Sequence, residues 1–188
     1  MVKKILFIEG TTDDTNGDLR KGFRILFEKK LKDIMPQIKL GNDKKSTIRK
    51  FVISTDGISL ALIDLDGKDI SDINSIEKIK VRDLTDLDIK ERKEFVFYMV
   101  QEMEAWFLSQ PEILEQYFGD LKIATRIPKK RSELIPDPSD FLQKLTKNTK
   151  KGEYHKVKDG VALLCKLDIE KLINDFEDVK NLIEKIIK

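Results

Sequence analysis

The sequence predicts an α/β protein whose parallel sheet is covered by helices on both faces, and three observations carry that prediction. Short apolar, β-favouring runs alternate with helix-patterned segments in the order strand, helix, strand, helix, strand, the signature of a parallel sheet. The run Ile58 to Ile63 carries no charge and is bounded by turn residues, as expected of a central strand buried on both faces. Acids stand where the apolar runs stop: Glu9 after the first, Asp64 and Asp66 after this one. Sites on such sheets lie beyond the carboxyl ends of the strands, so these acids are expected to meet at one edge.

In chain order, Lys4 to Ile8 is the first strand, closed by the polar turn Glu9-Gly10-Thr11-Thr12-Asp13-Asp14. A helix is expected from Asn16 or Asp18 to about Ile34, because Leu19, Phe23, Leu26, Phe27, Leu31 and Ile34 recur at spacings of three and four before Pro36. Gln37 to Leu40 reads as a brief strand. Gly41-Asn42-Asp43 punctuates it, and Ser46 is the expected cap of a helix reaching about Ser54, with Ile48, Phe51 and Val52 on one face. That helix lets Ile58 to Ile63 run parallel to the first strand through a right-handed crossover. Gly67 is expected to turn the chain away. Residues 67–93 are charged, without a sustained apolar period, and read as a long loop or short helix over the site.

Glu94 to Val100 is the next strand, and it runs into the helical composition of Gln101 to Leu108. On such a helix Gln101 and Glu104 share a face, Glu102 points elsewhere, and Trp106 and Phe107 enter the core. Pro111 to Phe118 is a helix opened by Pro111 and closed by Gly119. The chain ends with Val161 to Leu167 and an amphipathic series from Ile169 to Ile186 that buries one stripe. The expected division is an α/β core over residues 1–119, with a basic loop and helical extension over 120–188 packed on that core within one structural domain.

At 188 residues the chain can bury one substantial core and is short for two. Charged residues make up 37% of it yet nearly cancel to +2, which favours solubility and says little about partners. The single cysteine, Cys165, excludes an internal disulfide and gives no zinc site. No apolar run approaches a membrane span, and Met1-Val-Lys-Lys leads straight into a strand rather than a signal peptide. A cytoplasmic protein without a membrane partner is expected.

Two acids two positions apart leave one face of an extended chain and repel unless a cation neutralises them. Mg²⁺, or Mn²⁺ in its place, is the ordinary partner of such oxygens. From Ile123 to Lys158 there are ten Lys and Arg against four acids, a balance of +6. A phosphate-bearing polymer accounts for both features, since its charge needs a cationic track and its ester chemistry needs metal. His155 is the only histidine, too few for a metal site or a triad.

Phe-Ile-Glu-Gly at residues 7–10 and Leu-Ile-Asp-Leu-Asp-Gly at 62–67 resemble the acidic motifs of the Toprim fold. Met99-Val-Gln-Glu-Met-Glu-Ala-Trp-Phe-Leu108, with Lys150-Lys-Gly-Glu-Tyr-His-Lys156 downstream, is similar over nearly the whole chain to the bacterial family called domain of unknown function 4276 (DUF4276). The resemblance implies a Toprim-like sheet and a Mg²⁺-dependent nuclease or nucleic-acid-processing role, in defence contexts beside a neighbouring-gene ATPase. Under it, Glu9, Asp64 and Asp66 are the metal ligands and, with Glu104, the catalytic set. Gln101, Glu104 and Trp106 match the central motif, and Tyr154, His155 and Lys156 the late one.

Lys129, Lys130, Arg131, Lys150, Lys151, His155 and Lys156 are then expected to bind DNA or RNA, with self-association left open. The alternative from another class is a non-catalytic Toprim-like module that binds nucleic acid or an ATPase. Leu-Ile-Asp-Leu-Asp-Gly also opens haloacid-dehalogenase-type phosphatases, a lesser alternative, since there the motif usually lies on the first core strand with threonine after the glycine.

Overall fold

The computed structural model describes residues 3–13, 17–66, 70–87 and 89–188. In chain order the elements are β1 (Lys4–Ile8), the short strands β2 (Thr12–Asp13) and β3 (Gly17–Asp18), α1 (Leu19–Leu31), β4 (Gln37–Leu40) and α2 (Lys44–Ile53). There follow β5 (Ile58–Asp64), α3 (Ile73–Asp86), β6 (Val96–Met99), α4 (Glu104–Leu108), α5 (Pro111–Phe118), α6 (Ile123–Arg126), α7 (Pro138–Thr146), α8 (Lys156–Lys166), α9 (Ile169–Asp175) and α10 (Glu177–Ile187). Strands β4, β1, β5 and β6 form one sheet in that order, every pair parallel, while β2 and β3 pair antiparallel beside it. The chain steps outward from β1 to β4 and then returns to β5 on the other side of β1. The crevice between the carboxyl ends of β1 and β5 is therefore the point where the winding reverses, the ordinary ligand position of such sheets.

Strand alternation sorts the sheet residues onto two cores. Leu6, Ile8, Leu60, Leu62, Phe97 and Met99 face one side, covered by α1 and by the helices that follow β6. Ile5, Phe7, Ala61, Ile63, Val96 and Tyr98 face the other, where Ile48 and Phe51 of α2 and Ile76 and Ile79 of α3 cover them. The expected layering is thus present. Residues 120–188 are more than an extension packed on a finished core, however: Ile123, Leu142, Leu163, Leu164, Leu182 and Ile186 share one apolar cluster with Leu6 and Ile8. Each such leucine, fully buried, contributes about 1.5–3 kcal/mol, so this layer is part of what holds the sheet. Gly22 brings α8 against α1, since a Cβ there would lie 2.8 Å from Leu164 Cδ1 and 3.2 Å from the backbone of Val161.

Several local expectations are met and several corrected. Helix α1 is capped by Asp18, whose carboxylate accepts from Arg20 N at 2.8 Å, and tightens into a 3₁₀ turn over Lys32–Ile34. Helix α5 runs from Pro111 to Phe118 and closes at Gly119, as expected. The cap of α2 is Asp43 rather than Ser46; Asp43 accepts from both Ser46 N and Ser46 Oγ at 2.8 Å, so the serine serves the cap instead of being it. Residues read as a loop or short helix include a 14-residue helix, α3, opened by a capping box between Asp72 and Ser75. The strand expected from Glu94 begins only at Val96, because Lys90–Phe95 winds as 3₁₀ helix. Asp14, Asn16 and Gly67 lie outside the described residues.

The open edge of β6 is closed by a side chain. Asp178 of α10 accepts from Tyr98 N at 3.1 Å and pairs with Lys80 of α3, so a backbone donor that could template another strand is already occupied.

At the opposite edge Gly41 ends β4 against α2, where a Cβ would fall 1.8 Å from Thr47 Oγ1 and 2.4 Å from Thr47 Cα. No rotamer relieves contact with a backbone atom, so Gly41→Ala should force the helix off the sheet at a cost of about 1–3 kcal/mol. At roughly 2–4 °C per kcal/mol in a chain of this size, a Tm unchanged in a thermal melt would contradict that packing.

Candidate functional site

The β1/β5 reversal brings two acids together. Glu9 follows β1, its N–H donating to Leu62 O at 2.9 Å, and its carboxylate accepts from Asp64 N at 3.0 Å. Asp64 ends β5 on the same face as Leu60 and Leu62 and is 5% exposed. Its Oδ1 accepts from Met103 N at 3.1 Å, and its Oδ2 faces Lys156 Nζ at 3.5 Å. Glu104, the first residue of α4, is fully buried beside them. Tyr154 OH donates to its Oε1 at 2.9 Å, while its Oε2 has no hydrogen-bond partner and lies 3.9 Å from the same Lys156 Nζ. A cleft of ≈ 210 Å³ opens here, lined by Glu9, Asn42, Asp64, Met103 and Lys156 among others.

Asp66 does not continue the strand face of Asp64, although its charge still acts on Asp64 and Glu9. The regular strand ends at Asp64: Leu65 N and Asp66 N both donate to Gln101 O, at 2.8 and 3.1 Å, and Asp66 takes a left-handed φ of 53°. Alternation of side chains holds only while the strand continues, so Asp66 is turned instead to Lys44 of α2, Nζ to Oδ2 3.0 Å, and is half exposed. Gln101 and Glu104 likewise share no face, because α4 starts only at Glu104; Gln101 Nε2 donates to the carbonyls of Glu133 and Ile135, both at 3.2 Å. Glu102, expected to point elsewhere, stands near Glu104 and Lys156 and accepts from Ser139 N at 3.1 Å. Trp106 is buried in the core as expected, edge-on to Phe23 and Phe176.

The expected basic residues fall into two groups. Lys150 lies over Gly119, Lys151 sits 3.5 Å over the Tyr117 ring, and Tyr117 OH donates to Asp159, which also accepts from His155 N. His155 caps α8 through Nδ1, and Lys156 is the first residue of that helix. Lys151, His155 and Lys156 thus lead toward the acids, with Lys150 next to them in the chain. Lys129, Lys130 and Arg131 line a separate cleft against Asn174 and Asp175. Larger clefts run along the β6 edge and the amino ends of the strands, but neither holds Glu9, Asp64 or Glu104.

Burial sets the electrostatics. It pushes the Asp64 carboxyl well up, Glu9, Glu104 and Asp66 add to that, and Lys156 opposes it. Burial also raises Glu9, partly offset by the Asp64 N–H it accepts from. Glu102 is pushed up to about 7, by burial first and then by Glu104. Partial burial lowers the pKa of the Lys156 ammonium, and Asp64, Glu104 and Glu102 together more than offset that, so it is raised. Among the described residues no three His, Cys, Asp or Glu side chains are grouped so as to hold a metal ion, so Glu9, Asp64 and Asp66 do not form a ready-made trio. The donors that do face one point are carboxylate oxygens of Asp64 and Glu104, a hard set that suits Mg²⁺ or Mn²⁺ with water completing the shell.

The family described as "Domain of unknown function (DUF4276)" matches residues 8–187. No curated protein and no solved structure matches the chain.

The raised carboxyl groups fix the sign of a pH effect. Glu102 titrates near 7 when folded and near its ordinary 4.5 when unfolded, so between those values the folded chain holds a proton that the unfolded chain releases. Its contribution is complete below that window and lost as pH rises through it; the raised Glu9 and Asp64 act in the same direction. In EDTA, Tm should fall from about pH 5 to about pH 8, and Glu102→Gln should flatten the fall. A Tm that rises over that interval would contradict the electrostatics.

Proposed function

The chain belongs to the DUF4276 family, and from the site its sheet assembles we propose a Mg²⁺-dependent protein that cleaves phosphodiesters in nucleic acid on a Toprim-like scaffold. The observation that carries this reading is the meeting of Glu9 and Asp64 at the β1/β5 reversal, with the buried, unpartnered Oε2 of Glu104 facing the same lysine as Asp64. A buried carboxylate oxygen without a donor is costly unless a cation or a proton satisfies it. Mg²⁺ or Mn²⁺ bound there would orient a phosphate and stabilise charge developing on its oxygens. Asp64 and Glu104 each offer one oxygen while the other is fixed by a protein donor. Glu9, one residue past β1 and hydrogen-bonded to Asp64 N, would serve beside that position as acid or base. Lys150, Lys151 and Lys156, with the amino end of α8 that His155 caps, supply positive charge that positions a backbone without reading sequence. The resemblance adds DNA or RNA as substrate, a defence-type system as setting, and a neighbouring-gene ATPase as partner.

A second reading has its own support. Lys156 faces Asp64 at 3.5 Å and Lys44 pairs with Asp66 at 3.0 Å, so two of the acids already have a cationic neighbour without metal, as in a non-catalytic module that binds nucleic acid or an ATPase. Asp64→Asn separates the two. Asparagine keeps an oxygen for Met103 N but loses the charge that holds a divalent ion, so the variant should fold. Mg²⁺ or Mn²⁺ should raise the wild-type Tm, and wild type should cleave nucleic acid in metal and not in EDTA. The variant should do neither, assayed with and without the ATPase. No metal-dependent rise and no cleavage in wild type would establish the binding module instead.

The two basic groups give a further test by salt titration. Lys150→Ala with Lys151→Ala should flatten the log-log dependence of nucleic-acid affinity on salt by about 0.7–0.9 per lost contact. Lys129→Ala, Lys130→Ala and Arg131→Ala, in their separate cleft, should flatten it less; the reverse order would put the track elsewhere.

A further inference from the structure

Lys156 stands in an unusual relation to the two acids it faces. Asp64 has Oδ1 fixed by Met103 N, and Glu104 has Oε1 fixed by Tyr154 OH. The remaining oxygens, Asp64 Oδ2 and Glu104 Oε2, both look at Lys156 Nζ, at 3.5 and 3.9 Å. Neither distance is that of a tight ion pair, which is about 2.7–2.9 Å, and Glu104 Oε2 accepts no hydrogen bond at all. The acids are buried, with Asp64 5% and Glu104 0% exposed, whereas the Lys156 side chain is 46% exposed. The ammonium thus spans two oxygens that it satisfies incompletely, and Lys156 and Asp64 both line the ≈ 210 Å³ cleft.

We propose that Lys156 is a resident counter-cation that holds the place of a divalent metal between Asp64 and Glu104, and that metal entry requires its ammonium to swing out to solvent. This deepens the metal reading above and rests on it. A lysine can do this where an arginine pair cannot, because a single ammonium on a flexible stem gives up few directed bonds on leaving. In the metal-free state it offsets repulsion between two buried carboxylates; in the loaded state a dication with its own waters does so more completely. Glu104 becomes the second protein ligand, a role Asp66 cannot take while turned to Lys44.

The test is Mn²⁺ binding to the full chain, read as free Mn²⁺ by EPR, so that no activity is needed. Lys156→Met should bind Mn²⁺ at least about tenfold more tightly than wild type, a factor of ten corresponding to 1.4 kcal/mol. Lys44→Met removes an equal charge beside Asp66 and controls for general attraction; it should change affinity less than about threefold. Adding Glu104→Gln to Lys156→Met should cancel the gain. In wild type, reductive methylation of Lys156 followed by mass spectrometry should be faster with Mn²⁺ than without, a readout that needs no variant to fold. Binding to wild type that Asp64→Asn abolishes but Lys156→Met does not tighten, or a lysine no more reactive with metal, would overturn the counter-cation and leave the metal reading standing. No Asp64-dependent binding in wild type or Lys156→Met would overturn both.

Discussion

Asp64 is a carboxylate held almost out of water among other carboxylates, and the rest of the site is arranged around that fact. Burial disfavours its charge, and such a group persists ionised only when paired, hydrogen-bonded or bound to a cation. Each compensating group comes from a different part of the chain. Met103 N arrives from the turn before α4, Lys156 from the start of α8, and α8 reaches that position because Gly22 lets it approach α1. A site begun by β1 and β5 is therefore completed by a residue 92 positions beyond Asp64, and the C-terminal layer belongs to the site as much as to the core.

What the sequence made legible rests on two periods and on strand ends. Apolar runs of β-favouring residues located β1, β4, β5 and β6, and their alternation with helices implied a parallel sheet. Once the sheet is parallel, all carboxyl ends share an edge, so Phe-Ile-Glu and Leu-Ile-Asp put Glu9 and Asp64 at that edge, and the adjacency of β1 and β5 makes them meet. Pro111 and Gly119 bracketed α5 because each has a specific backbone role at a helix end.

The expectations for Asp66 and for Gln101 with Glu104 fail for one physical reason: counting along an element says nothing once the element ends. Strand alternation puts Asp66 on the face of Asp64, but the strand stops at Asp64 and Asp66 itself takes a left-handed φ. Gln101 and Glu104 were paired by helix arithmetic, but the helix starts only at Glu104. Helix α3 is hard to read in the sequence because Ile73, Ile76, Ile79 and Leu84 recur near helical spacing but are interleaved with six charged residues in 14 positions. Lys156 was hidden in another way. One lysine among ten basic residues looks like part of a cationic surface, and only its distances to Asp64 and Glu104 separate it from the rest.

The account turns on whether the point between Asp64 Oδ2 and Glu104 Oε2 is a cation position that lysine and metal exchange. The most direct measurement is a crystal of the full chain soaked in Mn²⁺, with anomalous scattering recorded at the manganese edge. The account predicts one strong anomalous peak within about 2.0–2.6 Å of both oxygens, with the Lys156 side chain displaced toward solvent. A peak found only at surface acids, or no peak while Lys156 still spans Asp64 and Glu104, would contradict it.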